Sequence, residues 1–266
     1  MTKPLVFYHA HCADGFTSAW ITRRALGDIQ YRYLQYGDEI PSTHEIAGRD
    51  VYMLDFSLDR KTLVEWSQVA KSLLVLDHHK TAQEVLKDLP FAKFTENEAA
   101  CIGTWNHFYS GQPIPPIVEY VNDRDLWLWR LPHSHEVNAY IASFAYRFDC
   151  WDQIDKELRE SFSMVVRSGE ALLRQEEQLV AKVARNAEEI EIDGHRVLQA
   201  NTSVLQSEVA NVLARGRPFG VVWFQKNGSK IYSLRSISPK GIDVSQIARK
   251  FGGGGHRHAA GYKVLS

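Results

Sequence analysis

The chain is short of cysteine, of long apolar runs and of net charge. Its three cysteines, Cys12, Cys101 and Cys150, lie far apart. An odd, sparse set of this kind cannot make a disulfide framework. The N-terminus, MTKPLVFYHAH, turns polar too early for a signal peptide, so a reduced, cytoplasmic protein is expected. No stretch reaches the roughly 18 apolar residues that span a bilayer, which leaves no membrane partner. A formal net charge of −1 argues against a tight binder of long duplex DNA. Internal repeats and low-complexity segments are lacking too. With 266 residues, 44% of them hydrophobic, the chain can bury the core of one large domain or two moderate ones. Charge is uneven, however. From Ile190 onward 11 Lys+Arg face 4 Asp+Glu, whereas the preceding part carries 20 against 28. A basic C-terminal portion suits a phosphorylated substrate.

What is present is concentrated in a few places. Leu5–Tyr8, Tyr31–Tyr36, Val51–Phe56 and Leu73–Leu76 read as strands, the last almost uniformly apolar, as in the centre of a parallel sheet. Between them lie helical patterns: Thr17–Leu26 behind Gly15, and a helix capped by Ser57 that runs through Leu63, Trp66 and Ala70. This alternation predicts an α/β layer with ligands beyond the carboxyl ends of the strands. Helices follow at Asn97–Tyr109 and Ile117–Asn122. From Gln153 to about Glu188 a long charged helical element connects to a second domain that starts near Ile190. There, Asp193-Gly194 and Asn227-Gly228 mark tight turns. A helix at Val209–Ala214 leads to a strand at Val221–Phe224, and one at Val244–Arg249 delivers the run Gly252–Gly255.

His9, His11, Asp14, Asp55 and the run Asp77-His78-His79 all fall at or just past predicted strand ends. Capping aspartates and core histidines have no reason to gather at one edge of one sheet. Aspartate and neutral histidine suit Mn²⁺ and similar ions, and a pair of ions can clamp a phosphoryl group and activate water. The glycine run has two readings. Its backbone N–H groups can approach a phosphate, or it ends a helix and lets two segments cross. Trp127 and Trp129 likewise either fill the core or stack on bases.

Asp77-His78-His79, Met53-Leu54-Asp55-Phe56-Ser57, Ser233-Leu234-Arg235-Ser236 and the closing FGGGGHRHAAGYKV occur in an order that resembles the DHH phosphoesterases with a C-terminal DHHA1 domain. The resemblance implies a mostly parallel DHH catalytic domain (1–150), a helical connector (151–189) and a smaller α/β DHHA1 substrate-binding domain (190–266). It implies a pair of Mn²⁺ ions, with Mg²⁺ or Co²⁺ as substitutes, held by His9, Asp14, Asp55, Asp77, His78 and Asp123. In this reading Asp55 bridges the ions, and His79 supports the ion site or a phosphate oxygen beside Asp55, Asp77 and His78. Asp123 is preferred over Asp125 because the family's aspartate directly follows a short apolar segment. The first motif departs from the family: in His9-Ala10-His11-Cys12-Ala13-Asp14-Gly15, Cys12 stands where an aspartate is usual. Cys12 is then a weak ligand, or His9 or His11 supplies the missing one.

Arg235, Gly253, Gly254, Gly255, His256 and Arg257 are the implied substrate contacts. The expected activity is a Mn²⁺-dependent phosphodiesterase cutting very short oligoribonucleotides, or linear dinucleotides such as pGpG, to mononucleotides with metal-activated hydroxide. The alternatives are cyclic-dinucleotide phosphodiesterase, 3′-phosphoadenosine 5′-phosphate phosphatase and exopolyphosphatase. From another class comes a nucleotide-binding regulatory module with a decayed centre. Assembly as a homodimer is an open expectation.

Overall fold

The apolar runs near residues 5, 51 and 73 become interior strands of one sheet because both of their faces are covered. In the computed structural model, residues 3–27, 29–35, 38–237 and 241–265 are described. The chain divides into two compact units, Met1–Leu173 and Arg174–Ser266.

The first unit runs β1 (Leu5–His9), α1 (Ala13–Leu26), β2 (Gln30–Leu34), α2 (Thr43–Ile46), β3 (Asp50–Leu54), α3 (Arg60–Val69), β4 (Ser72–Asp77), α4 (Lys80–Leu86) and β5 (Ala92–Phe94). The helices α5 (Ala100–Phe108), α6 (Pro116–Asp125), α7 (Ser134–Ala142), α8 (Phe148–Glu160) and the start of α9 (Phe162–Ala184) follow. All neighbouring strands are parallel, in the order β2-β1-β3-β4-β5. Phe7, Met53 and Val75 pack on one face with Leu63, Trp66 and Leu86. Val6, Leu54 and Leu76 line the other. A strand buried on both faces must be apolar throughout. The chain leaves β1 to form β2 on one flank and returns to lay β3 on the other. The switch point, where an open α/β sheet offers a crevice, therefore falls between the carboxyl ends of β1 and β3.

Several expectations need correction. Ser57 does not cap α3. Asp59 does, accepting from the Thr62 N–H, while Ser57 donates to Asp77. Tyr36, placed at the end of a strand from sequence, lies outside the described residues. The short α4 and β5 carried too little periodicity to be anticipated. The long helical element is two helices that break at Ser161, whose φ of −141° leaves the helical region. Val165 and Val166 of α9 join the core of the first unit, with Phe162 and Leu172 packed against it. Val180, Val183 and Ala184 pack within the second.

The second unit adds β6 (Glu188–Ile192), β7 (His195–Asn201), α10 (Gln206–Leu213), β8 (Gly220–Lys226), β9 (Ser229–Arg235), α11 (Val244–Lys250), β10 (Gly254–His256) and β11 (Ala259–Leu265). Its mixed sheet has the order β10-β11-β9-β8-β7-β6, with only β7 and β8 parallel, joined through α10. Asp193-Gly194 and Asn227-Gly228 have positive φ at both central positions, the geometry of a two-residue hairpin turn. Among the described residues no helix is long and apolar enough to cross a membrane.

Candidate metal centre

Each strand of the first unit that ends at the switch point hands a polar side chain to the same spot. β1 ends in His9, and α1 begins four residues later, its first turn packed tightly against that end. A Cβ on Gly15 would meet the His9 carbonyl at 2.7 Å, so only glycine lets the turn come this close. That approach carries Asp14 inward. Its two carboxylate oxygens accept the backbone N–H groups of Ala100 and Cys101, at 2.8 and 2.7 Å, where α5 begins. A helix N-terminus favours such an anion.

β3 delivers Asp55. Its backbone is left-handed (φ 54°), an uncommon state for a residue other than glycine, and its N–H donates to the Leu76 carbonyl at 2.9 Å. The Asp55 carboxylate lies 3.3 Å from His9 Nδ1, 3.3 Å from His78 Nε2 and 3.9 Å from His79 Nδ1. β4 delivers Asp77. One of its oxygens accepts from the backbone N–H of His78 and His79 and lies 2.7 Å from His79 Nδ1. The other accepts from the Ser57 hydroxyl at 2.5 Å. Asp77 thus holds the His-His pair in place.

Among the described residues of the first unit, two groups of ligand atoms result, each within 4.8 Å: His9, Asp55 and His79 in one, Asp14, His78 and Asp125 in the other. His78 Nε2 stands 3.7 Å from Asp14 and 3.5 Å from Asp125, and its contact with Asp55 ties the groups together. Asp14, Asp55 and Asp77 are each at most 1% exposed, so their charges have lost water and need a partner. Burial pushes the Asp14 carboxyl well above its usual range, reinforced by the negative charges of Asp55 and Asp125. For Asp55, burial acts upward too, but the hydrogen bonds of His78 and His9 hold it well below. Burial opposes the charged form of His78, yet Asp55, Asp125 and Asp14 together push its ring well above the ordinary histidine value. A cluster of buried acids that raises both a carboxyl and an imidazole is short of positive charge. Divalent cations bound by oxygen and imidazole fit that donor set.

The predicted residues do not all arrive here. Asp123, preferred from sequence, is a correction. Its carboxylate accepts from the backbone N–H of Arg130 and Leu131, at 3.0 to 3.3 Å, and from the Ser134 hydroxyl. Those bonds occupy it in fastening the loop after α6, and Asp125, at the helix end, is the aspartate that faces His78. Asp77 stands outside both groups because its oxygens are committed to Ser57 and the His-His segment. Cys12 forms the N-cap position of α1. Burial, with Asp55, Asp125 and Asp14 nearby, pushes its thiol well up. His11 turns away, its ring 6.2 Å from that of Tyr33, and belongs to neither group.

In the second unit the glycine run does visible structural work. Gly252 (φ 77°) ends α11, with the Gly252 N–H on the Arg249 carbonyl and the Gly253 N–H on that of Ala248. These are the paired bonds of a Schellman motif. Gly253 and Gly255 run hard against β11, where an added Cβ would meet the Gly261 carbonyl at 2.1 Å and that of Ala259 at 2.5 Å. Gly254 pairs with Gly261. Arg235 donates to the Ser207 hydroxyl and the Leu234 carbonyl, His256 lies on β10, and Arg257 sits exposed in the turn that follows.

Sequence reasoning missed Ser57, Ser134, and the N–H groups of Ala100 and Cys101. A serine as partner of a distant aspartate has no local signal, and neither do backbone groups.

The fold and the site define a two-unit α/β protein with a candidate divalent-metal centre at the switch point of a parallel sheet. Residues 196–265 match the DHHA1 domain. An uncharacterized protein, R106 of Acanthamoeba polyphaga mimivirus, is 31% identical over 289 residues, an alignment that takes in 97% of this chain. The chain spans 66% of that relative's length. Among solved structures, a pGpG-specific phosphodiesterase from Vibrio cholerae is similar with a TM-score of 0.52 at 13% identity, covering 99% of this chain and 94% of the other. A manganese-bound exonuclease RecJ gives 0.53 at 16% identity, covering 99% and 86%. At such identities the likeness is one of fold. The chain therefore carries a DHHA1 domain at residues 196–265 and shares the fold of these two structures.

Proposed function

We propose that this chain is a Mn²⁺-dependent phosphodiesterase that hydrolyses very short oligoribonucleotides, or linear dinucleotides such as pGpG, to mononucleotides. The observation that carries this reading is the position of Asp55, buried between His9, His78 and His79 so that one carboxylate touches both ligand groups. A pair of divalent ions held in such a centre would supply Lewis acidity for activating water and neutralising the phosphoryl oxygens. Asp55, through its contacts with both ligand groups, would hold the ions together with His9, Asp14, Asp125 and His78, the aspartates from the α1 and α6 sides balancing their charge. Asp77 fixes His79 in the orientation it needs beside the phosphate, an outer role common next to metal ligands. Arg235, His256 and Arg257 of the basic C-terminal unit are the groups we expect to neutralise the far phosphate, and Gly253–Gly255 to approach it. The similar fold of a pGpG-specific phosphodiesterase and of a manganese-bound exonuclease supports the choice of substrate class and ion.

Turnover of pGpG, longer RNA, cyclic di-GMP, 3′-phosphoadenosine 5′-phosphate and polyphosphate, measured side by side with Mn²⁺, tests the reading. It expects the highest kcat/KM for pGpG. A preference of roughly tenfold or more for polyphosphate would overturn the substrate, and tight pGpG binding without hydrolysis at saturating Mn²⁺ would replace the enzyme by a binding module.

A further inference from the structure

Just beyond Asp125 the backbone does something costly. Trp127 and Trp129 both have left-handed φ, 56° and 54°. For bulky side chains this is a genuine outlier, and the inference from such an outlier runs toward function. The conformation is imposed from outside the two residues. The Asp123 carboxylate gathers the N–H groups of Arg130 and Leu131 and the Ser134 hydroxyl, the Leu128 N–H reaches the Asp123 carbonyl at 2.8 Å, and the Trp127 N–H reaches that of Arg124 at 2.9 Å. The rings are organised too. Trp129 stacks on His135 with centroids 3.9 Å apart and planes 13° from parallel, and Trp127 stands edge-on to Trp129 at 5.0 Å and 77°. Trp127 is left 37% exposed. Burying a large apolar ring is favourable, so a tightly bonded loop that instead holds tryptophan at the surface is presenting it.

The place of presentation matters. Asp125 lies 3.5 Å from His78 in the candidate metal centre, and two further residues of chain reach at most about 7 Å. A flat aromatic surface that close to the reacting phosphate matches the nucleobase of an adjoining nucleotide. It offers nothing to a bare phosphate chain.

We infer that Trp127 is a stacking platform for the base of a nucleotide next to the scissile phosphate, with Trp129 and His135 as its backing and Asp123 as the residue that positions the loop. This makes the substrate a base-bearing nucleotide and excludes inorganic polyphosphate. The inference rests on the proposed reaction for the identity of the phosphate, and binding separates the two.

The test measures affinity for a non-hydrolysable, phosphonate-linked pGpG analogue and for its counterpart lacking the bases. It uses Mn²⁺-loaded wild type, Trp127→Ala and Trp127→Phe, with pGpG hydrolysis followed in parallel. Stacking predicts an affinity loss of about 5- to 150-fold for the base-bearing analogue in Trp127→Ala. Trp127→Phe should recover most of it, and the base-free ligand should be indifferent to either change. Equal losses for both ligands, unchanged affinity for the base-bearing one, or no binding of it to the wild type would each overturn the inference. Normal base-dependent binding with no hydrolysis by the wild type would refute the proposed reaction and leave the stacking role standing.

Discussion

At the carboxyl edge of the parallel sheet, Asp14, Asp55 and Asp77 are buried to within 1% of full enclosure, crowded with Asp125 around His9, His78 and His79. In the C-terminal unit, the run Gly252–Gly255 closes α11 and lets β10 lie against β11. Both stretches are unusual as sequence, yet they differ in what remains once folding is satisfied. Buried like charges repel, and nothing in the hydrophobic core requires them, so they point to a bound cation. The glycines meet backbone needs that would exist with no ligand at all.

The largest effect that could break this contrast is at Asp55. Asp55→Ala should reduce phosphodiester hydrolysis to background and lower the number of Mn²⁺ ions retained per chain, read by metal analysis and calorimetry. Near-normal Mn²⁺-dependent turnover would rule out the site. Next comes the pair two residues apart. Asp125→Asn should weaken Mn²⁺ binding by at least the ~10- to 100-fold typical of losing an outer partner of a metal ligand. Asp123→Asn should leave Mn²⁺ affinity alone while lowering the melting temperature and raising KM. Identical metal affinities in the two variants would contradict the assignment.

On the other side of the comparison, Gly253→Ala should destabilise the chain by about 1–3 kcal/mol through overpacking against Gly261. Gly252→Ala should cost about 1–2 kcal/mol for its left-handed backbone. Denaturant melts without nucleotide check both, and an unaltered midpoint for Gly253→Ala would show that the close crossing is absent. Arg235→Ala and His256→Ala should act mainly on KM, with kcat changed little and Mn²⁺ affinity kept, as expected of contacts made equally in ground and transition states. Lost metal binding with unchanged KM would sink the substrate role of those residues.

The smallest effect is a pH dependence. Asp14 and His78 both titrate above their unfolded values in the folded chain, so over that range the native state binds more protons than the unfolded one. Stability of the metal-free protein should therefore fall as pH rises, first from Asp14 above about pH 4 and then from His78 above about pH 6.5, through their raised folded values. Bound cations take the place of those protons. The gain in melting temperature on adding Mn²⁺ should thus be greater at about pH 8.5 than at about pH 6. A gain that shrinks as pH rises would show that the cluster is not the metal site.

The sequence by itself determined the order of the parallel strands' apolar runs, the two hairpin turns, and the gathering of His9, Asp14, Asp55 and the His78-His79 pair at strand ends. Each of these follows from local pattern: alternation of strand and helix, Asp-Gly or Asn-Gly at a tight turn, polar residues where a buried strand surfaces. It did not determine the partner of Asp77, because Ser57 is twenty residues away and reads locally as a cap. Nor could it settle Asp123 against Asp125. On a helix, residues two apart point in nearly opposite directions, and no local preference says which direction faces the sheet edge. Only the packing of α6 beside α5, fixed in part by Asn122 accepting the Ala99 N–H at 2.8 Å, decided that Asp125 turns toward His78 while Asp123 holds the tryptophan loop.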